Sequence, residues 1–184
     1  MKYAALFRGI NAGGKNAVKM NDLKQCLLDL GLKDVKTYVQ SGNAVFESGL
    51  DETTLQNKIH GGFMKQFGFG SSVILRNIDE MRDLIAQLPF MPEEIAAAET
   101  ADPQVEHLYA YFLDEPSRQE RVHLICKGYD GPDRLSAGKR GLYLLCRQSI
   151  RKSKLAVRMS RTFHTATVRN WKSVRNLYDM LTSL

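Results

Sequence analysis

The first stretch of the sequence that could do chemistry is a polar, glycine-rich loop, Arg8-Gly9-Ile10-Asn11-Ala12-Gly13-Gly14-Lys15-Asn16. It nearly fits the pattern G-x-x-x-x-G-K-[ST], in which backbone N–H groups surround phosphates and a hydroxyl side chain holds magnesium. Asn16 replaces that hydroxyl residue, and residues 17–19 separate the loop from the predicted helix. The glycines are therefore better explained as turn residues, with the Asn11 amide bonding to the backbone.

Two further segments carry polar side chains of the kinds that bind anions. Residues 40–43 read Gln-Ser-Gly-Asn, and residues 169–172 read Arg-Asn-Trp-Lys. The candidate anion-binding residues are the polar positions of all three segments, namely Arg8, Asn11, Lys15, Gln40, Ser41, Asn43, Arg169, Asn170 and Lys172. The functional hypothesis is one anion pocket formed by the loop of residues 8–16, which we call the opening loop, and the start of the last helix. The structural alternative is that the amides bond to turns and Trp171 belongs to the core.

No catalytic arrangement is recognisable beside these candidates. Ser41 has no histidine near it in the sequence, and Asp114 and Glu115 are adjacent. Adjacent residues of a strand point to opposite faces, so these two carboxylates do not form a close pair. His164 is the best general-base candidate, and the sequence leaves open whether the protein is an enzyme.

Metal and redox chemistry are not indicated either. The cysteines stand far apart in apolar surroundings: Cys26, Cys126 and Cys146. No CxxC pair and no HExxH motif is present, so neither a zinc site nor a redox dithiol is predicted. We expect buried thiols and no cofactor.

Charge is distributed unevenly along the 184 residues, whose net charge is +6. Residues 1–92 carry 11 basic and 9 acidic side chains (+2), residues 93–127 carry 3 and 8 (−5), and residues 128–184 carry 12 and 3 (+9). The last third is therefore the basic part of the chain. It predicts phosphate or nucleic-acid binding, while the alternative is an ordinary solvated surface. The runner-up function is an enzyme acting on a nucleotide or phosphorylated small molecule at the loop of residues 8–16.

The hydrophobic periodicity predicts an α+β fold with two subdomains. Residues 1–78 read as β-α-β-β-α-β, the ferredoxin-like pattern. In this part Asp79 is predicted to cap a short helix, and Gly61-Gly62 predicts a bend or an early end of the second long helix. Residues 95–101 read as a short helix or a loop. Strands are predicted after it near 108–113, 134–136 and 142–146. Helices are predicted near 117–124, 149–159 and 170–181. The predicted subdomains are 1–89 and 90–184. A β-α-β-β-α order in both halves is left open, while no residue-level match between them is recognisable.

Three segments together carry a resemblance: Arg8 to Lys15, Thr37 to Phe46 and Thr167 to Val174. In order and spacing they resemble a bacterial family classified as a domain of unknown function, with the motifs R-G-I-N-V-G-G, Y-I-Q-S-G-N-V and T-R-N-W-N-T. This chain has Ala12 for valine, Val168 for threonine and Lys172-Ser173 for Asn-Thr. The resemblance covers essentially the whole chain. It implies a two-subdomain α+β fold with a ferredoxin-like N-terminal part, and no established activity.

The apolar segments are too short for a membrane protein. No stretch approaches the roughly 20 apolar residues of a membrane span. The apolar run before Arg8 is also too short for the core of a signal peptide. We therefore expect a cytoplasmic protein that does not contact membranes. Its partner is expected to be nucleic acid or a phosphorylated ligand, and the sequence makes no prediction of oligomeric state.

Overall fold

The computed structural model describes residues 1–13 and 16–184. Within these residues the chain forms eight strands, seven α-helices and one 3-10 turn. They pack as two units: the first unit contains Met1–Arg82 and Arg175–Leu184, and the second contains Asp83–Val174. The α+β class predicted from the sequence is confirmed.

The first unit has the predicted β-α-β-β-α-β order. Its elements are β1 (Lys2–Phe7), α1 (Met20–Asp29), β2 (Lys33–Tyr38), β3 (Asn43–Glu47), α2 (Glu52–Phe67) and β4 (Val73–Asn77), followed by α3 (Ile78–Ala86). The strands form an antiparallel sheet in the order β2-β3-β1-β4. This order gives the ferredoxin-like topology.

The core of the first unit lies between this sheet and the helices α1 and α2. Because successive strand residues point to opposite faces, alternate residues of β1 line the core: Tyr3, Ala5 and Phe7. The helices contribute apolar residues four positions apart: Leu23 and Leu27 in α1, and Leu55, Ile59 and Phe63 in α2. The sheet therefore holds the opening loop and the β2–β3 turn on a rigid base.

The helix α2 runs without interruption through Gly61 and Gly62, so the expected bend is wrong. A Cβ atom at Gly62 would lie 2.7 Å from both Cδ atoms of Leu30. Leu30 is the C-cap of α1. The glycine therefore permits close packing of the two helices, which offsets its low helix propensity of about 1 kcal/mol.

The cap of α3 is Asn77, and the prediction of Asp79 is wrong. The Asn77 Oδ1 accepts a hydrogen bond from the Glu80 N–H at 2.8 Å. In return the Asn77 N–H donates to the Glu80 Oε2 at 3.0 Å. This reciprocal pair is a capping box, so the helix begins directly after β4.

The second unit also contains a β-α-β-β-α-β order. After α4 (Pro92–Ala101) it has β5 (Leu108–Phe112), α5 (Gln119–Cys126), β6 (Arg134–Ala137) and β7 (Gly141–Leu145). A 3-10 turn (Ile150–Lys152), α6 (Lys154–Thr162), β8 (Thr167–Asn170) and α7 (Trp171–Thr182) follow, and α7 ends in the first unit. The sheet order is β6-β7-β5-β8. The last helix begins at Trp171, one residue after the predicted start near 170, and the strand at residues 167–170, which pairs with β5, was not predicted.

The two units share one topology and a residue-level correspondence that the sequence alone did not reveal. In the first unit Tyr3-Ala4 pairs with Asn77-Arg76, and in the second Tyr109-Ala110 pairs with Asn170-Arg169. Each arginine Nη1 donates to the carbonyl of the residue before it, at 2.6 and 2.8 Å. Each asparagine Oδ1 accepts from the N–H three residues later, at 2.8 and 2.9 Å. The expectation of no residue-level match is therefore wrong.

The grouping of residues into units differs from the predicted division at residue 89. Leu84 and Leu88 pack with Phe90 and Tyr143, and the Tyr143 hydroxyl donates to the Leu84 carbonyl at 2.8 Å. These contacts place the second half of α3 in the second unit. At the other end of the chain, the Asn176 amide donates to the Tyr38 hydroxyl at 2.6 Å, which joins the end of α7 to β2 of the first unit.

Candidate functional site

The side chain of Asn11 ties the opening loop to the turn between β2 and β3. Its Nδ2 donates to the carbonyls of Val18 and Gln40, both at 2.8 Å. Its Oδ1 accepts from the Val18 N–H at 2.7 Å. Because all these polar atoms already have protein partners, Asn11 positions the loop, as the structural alternative proposed.

The other candidates in the first unit divide into buried and exposed side chains. Asn43 is fully buried, and its Nδ2 donates to the Tyr38 carbonyl at 3.2 Å and to the Ser41 Oγ at 2.9 Å. Arg8 is exposed, and the Ser71 hydroxyl donates to its carbonyl at 2.9 Å. Lys15 lies outside the described residues. The structure thus brings Ser41 and Asn43 together in the hairpin turn and leaves the Arg8 guanidinium at the surface.

An open groove of about 820 Å³ lies beside the opening loop. Its lining includes Asn11, Val18, Lys19, Gln40 and Phe67. Next to Gln40, the β-branched Val39 has a φ of +48° and is exposed. Such a residue is strained in the left-handed region by about 1–3 kcal/mol, and strain of this kind concentrates at functional sites.

The candidates of the second unit lie on both sides of the junction between β8 and α7. Arg169 is in β8, opposite Ala110. Arg169 therefore belongs to a strand and not to the last helix. Burial lowers the pKa of Arg169 to about 10, so the guanidinium remains charged at neutral pH. The Asn170 Oδ1 accepts from the Ser173 N–H at 2.9 Å, and Lys172 is exposed in the first turn of α7.

The candidates thus fall into two groups. Arg8, Asn11, Gln40, Ser41 and Asn43 belong to the first unit, and residues 169–172 belong to the second. Their union in one anion pocket stays a prediction.

A surface that the candidate set did not include is more clearly suited to anions. We call it the basic face, and it consists of four exposed cations on the 3-10 turn and α6: Arg151, Lys152, Lys154 and Arg161. Lys154 and Arg161 are seven residues apart, which places them on one side of the helix. Leu155 and Met159 face the core instead. No ion pair of the described residues involves any of these four cations.

The sequence signal for the basic face was the charge run itself. Between Asp133 and Asp179 the chain has twelve Lys and Arg residues and no acidic residue. The helical spacing of Lys154, Arg158 and Arg161 separates the exposed cations from the core residues. Arg158 is the exception in this series, since its Nη1 donates to the carbonyls of Ile125 and Lys127, at 2.7 and 3.0 Å.

In the second unit, the side of the β6-β7-β5-β8 sheet that lies opposite to α5 and α6 is acidic. Alternate residues of β7 face opposite sides of the sheet. Leu142 and Leu144 pack in the cluster that contains residues of α5 and α6. Tyr143 and Leu145 pack in the cluster that contains Ala98 of α4. The helix α4 therefore covers the face opposite to α5 and α6. Its exposed side chains include Glu93 and Glu99, so the second unit is electrostatically polarised.

The catalytic and metal-binding alternatives gain no geometric support in residues 1–13 and 16–184. His164 is exposed, and the Asp114 carboxylate accepts a hydrogen bond from the Thr165 hydroxyl at 3.1 Å. No cluster of three or more His, Cys, Asp or Glu side chains suited to a metal ion occurs in this part of the chain. None of its helices has both the length and the apolar character needed to cross a bilayer. Both sheets are antiparallel, whereas a P-loop protein needs a parallel sheet.

Fold and surface together define a class of protein: a tandem of two ferredoxin-like α+β units, the second of them strongly basic on its helical side. The chain belongs to the family described as "Protein of unknown function (DUF1697)", which matches residues 1–143. The match includes the first two segments of the resemblance, while the segment of residues 167–174 lies beyond it.

A solved structure with the same architecture is that of the conserved bacterial protein SP0830 from Streptococcus pneumoniae. It is 28% identical in sequence, aligns over 98% of each chain and gives a TM-score of 0.73. The similarity therefore extends over both units of the chain. A comparison with the curated proteins finds no match.

Proposed function

We propose that this protein binds the phosphate groups of nucleic acid, with the basic face of the second unit as the contact surface. The observation that carries the proposal is the set of exposed cations at Arg151, Lys152, Lys154 and Arg161, which make no ion pair with any described residue. A cation without a carboxylate partner is free to neutralise a phosphate and release its counterion.

The surroundings of the basic face strengthen its attraction for a polyanion. The segment between Asp133 and Asp179 contains no acidic residue, and on the neighbouring helix α5 the acidic residue is Glu120. A surface of one sign attracts an oppositely charged partner from a distance and speeds its association. Lys172 of the original candidate set belongs to the same basic segment and is exposed.

The test is the salt dependence of binding. A labelled nucleic-acid fragment is titrated with the full chain, and fluorescence anisotropy is recorded between 50 and 200 mM salt. Each phosphate contact contributes about 0.9 to the slope of log K against log salt. Replacing all four cations of the basic face by glutamine is expected to lower that slope by up to about 3.6.

A control variant removes two charges from the corresponding helices of the first unit, and its effect is compared per charge removed. Lys24 in α1 and Lys65 in α2 are exposed, and the double variant Lys24→Gln, Lys65→Gln is expected to leave affinity and slope unchanged. Wild-type binding that does not respond to salt would contradict the proposal, as would equal loss in the two variants.

A second function is favoured by the groove beside the opening loop. Its volume of about 820 Å³ and its polar lining at Lys19 and Gln40 suit a nucleotide or a phosphorylated small molecule, on which an enzyme could act. The test is thermal unfolding in the presence of a panel of nucleotides and sugar phosphates. A ligand at a hundred times its Kd adds about 2.7 kcal/mol of stability, and the absence of any shift would refute this function.

A further inference from the structure

The aromatic side chains around the basic face are already covered by arginines of the same unit. The guanidinium carbon of Arg158 lies 6.0 Å from the centroid of the Tyr129 ring. That of Arg121 lies 5.6 Å from the centroid of the Phe163 ring. The Tyr129 hydroxyl also accepts a hydrogen bond from the Asp133 N–H, and Phe163 is buried. Tyr129 thus has an arginine over its ring and is half-buried, and Phe163 is buried as well as covered.

The exposed apolar side chains of this surface are aliphatic. Leu124 of α5 and Val157 of α6 are 66% and 45% exposed, and no aromatic residue is among the strongly exposed large apolar side chains of residues 1–13 and 16–184. Proteins that hold single strands rely on exposed aromatic rings, each of which contributes about 1–3 kcal/mol per stacked base. The basic face offers charge without such a stacking surface.

From these observations, and resting on the proposed function, we infer that the ligand of the basic face is duplex nucleic acid, held through its phosphates without reading of the bases. A duplex hides its bases in the stack and presents phosphates at a higher density than a single strand does. The inference therefore follows from what this surface has, which is cations, and from what it lacks, which is exposed rings.

The spacing of the cations fits a duplex. Lys154 and Arg161 are seven residues apart in α6, which corresponds to a rise of about 10 Å along the helix. The major groove of B-form DNA is about 12 Å wide. The two side chains can therefore reach phosphates on both sides of that groove while the helix lies across it.

The acidic side of the second unit determines which surface of the unit turns toward the duplex. The exposed Glu93 and Glu99 lie on α4, across the sheet from α5 and α6. Phosphates are repelled from that side, so the electrostatic field orients the helical side toward the duplex. A ligand held in this way needs no base contact for its orientation.

The experiment compares four probes with the full-length protein: a 20-bp DNA duplex, one of its single strands, a 20-bp RNA duplex, and a second DNA duplex of unrelated sequence. Four phosphate contacts give salt slopes of about 3.6 for the duplex and about 2.8 for the strand, which is about a sixfold difference in affinity at 0.1 M salt. The two DNA duplexes are expected to bind equally. Tighter binding of the DNA duplexes or of the RNA duplex than of the single strand supports the inference. The difference between the DNA and RNA duplexes measures how strongly binding depends on the geometry of the double helix.

The outcomes separate this inference from the proposed function. If the strand binds as tightly as the duplexes or more tightly, the duplex inference is overturned while phosphate binding stands. A preference above tenfold between the two DNA duplexes overturns the absence of base reading. If no probe binds at 50 mM salt, the proposed function itself fails. The double variant Lys154→Gln, Arg161→Gln must weaken duplex binding, and the control Lys24→Gln, Lys65→Gln must not.

Discussion

Replacing Gly62 by alanine tests the close packing of α1 and α2 in the first unit. The neighbouring Gly61 provides the matched control, since it lies in the same helix and a Cβ built on it meets nothing within 4 Å. A Cβ at Gly62 would lie 2.7 Å from the Cδ1 and Cδ2 atoms of Leu30 and 3.1 Å from its Cγ. The two substitutions are therefore chemically identical and differ in the space available.

The expected free energies follow from two opposing effects. Alanine improves helix propensity over glycine by about 1 kcal/mol at either position. At Gly62 the overlap with Leu30 costs about 1–3 kcal/mol, as overpacking does in well-packed cores. Gly61→Ala should thus stabilise the protein by about 1 kcal/mol, and Gly62→Ala should change its stability by about 0 to −2 kcal/mol.

Urea unfolding followed by circular dichroism measures both values, and at this chain length 1 kcal/mol corresponds to a Tm change of about 2–4 °C. The cause is checked by a double-mutant cycle with Leu30→Ala, which should cost less stability in the Gly62→Ala background than in the wild type. If Gly62→Ala stabilises the protein as much as Gly61→Ala does, the close packing of α1 and α2 is refuted.

Three further predictions concern the second unit and the Arg-Asn pair that recurs at the end of β4 and of β8. His107 is buried, and both of its ring nitrogens lie 2.8 Å from carbonyl oxygens. His107→Ala should therefore cost about 3 kcal/mol in urea unfolding, and a loss below about 1 kcal/mol would contradict a ring hydrogen bond to either carbonyl. Asn77→Ala and Asn170→Ala should each cost about 1 kcal/mol by loss of a helix cap, and unequal Tm decreases would refute their equivalence. Burial, aided by the Asp133 carboxylate, raises the pKa of the Cys146 thiol to about 12, so mass spectrometry should find it unlabelled by a thiol reagent at pH 8 until the protein unfolds.

The first unit was predictable because its signals are local. Alternation in β1 and the apolar spacing of the two long helices each indicate one element, and Asp51 caps α2 as its position suggests, with its Oδ1 accepting from the Thr54 N–H. Asn77 was missed as a cap because Asp79, two residues later, is an equally good capping residue by type. Only the pairing of β4 with β1 shows where the strand ends and the helix begins.

The second unit was harder to predict because β8 is short and polar. The sequence Thr-Val-Arg-Asn has no clear alternation, and it is a strand because its backbone pairs with β5. The sequence therefore predicted a helix near 170–181 without a strand before it, and the recurrence of the topology in the second half stayed an open alternative. The candidate site shows the same limit. Residue type predicts that the Asn11 and Asn43 amides bond to turns, but only the structure shows that Asn11 joins its own loop to the separate turn at Gln40.

The division of the chain into units has a consequence for synthesis. The first unit includes Arg175–Leu184, while the 92 residues of the second unit lie between its two parts in the sequence. A ribosome adds about 5–20 residues per second. Roughly 5–20 s therefore pass between the synthesis of β4, which completes the sheet of the first unit, and the synthesis of the segment that packs against β2. The second unit, by contrast, is continuous and complete as soon as β8 has emerged. The first unit, although its synthesis begins first, is therefore the last to have all its segments, and the second unit has all of its residues just before that point.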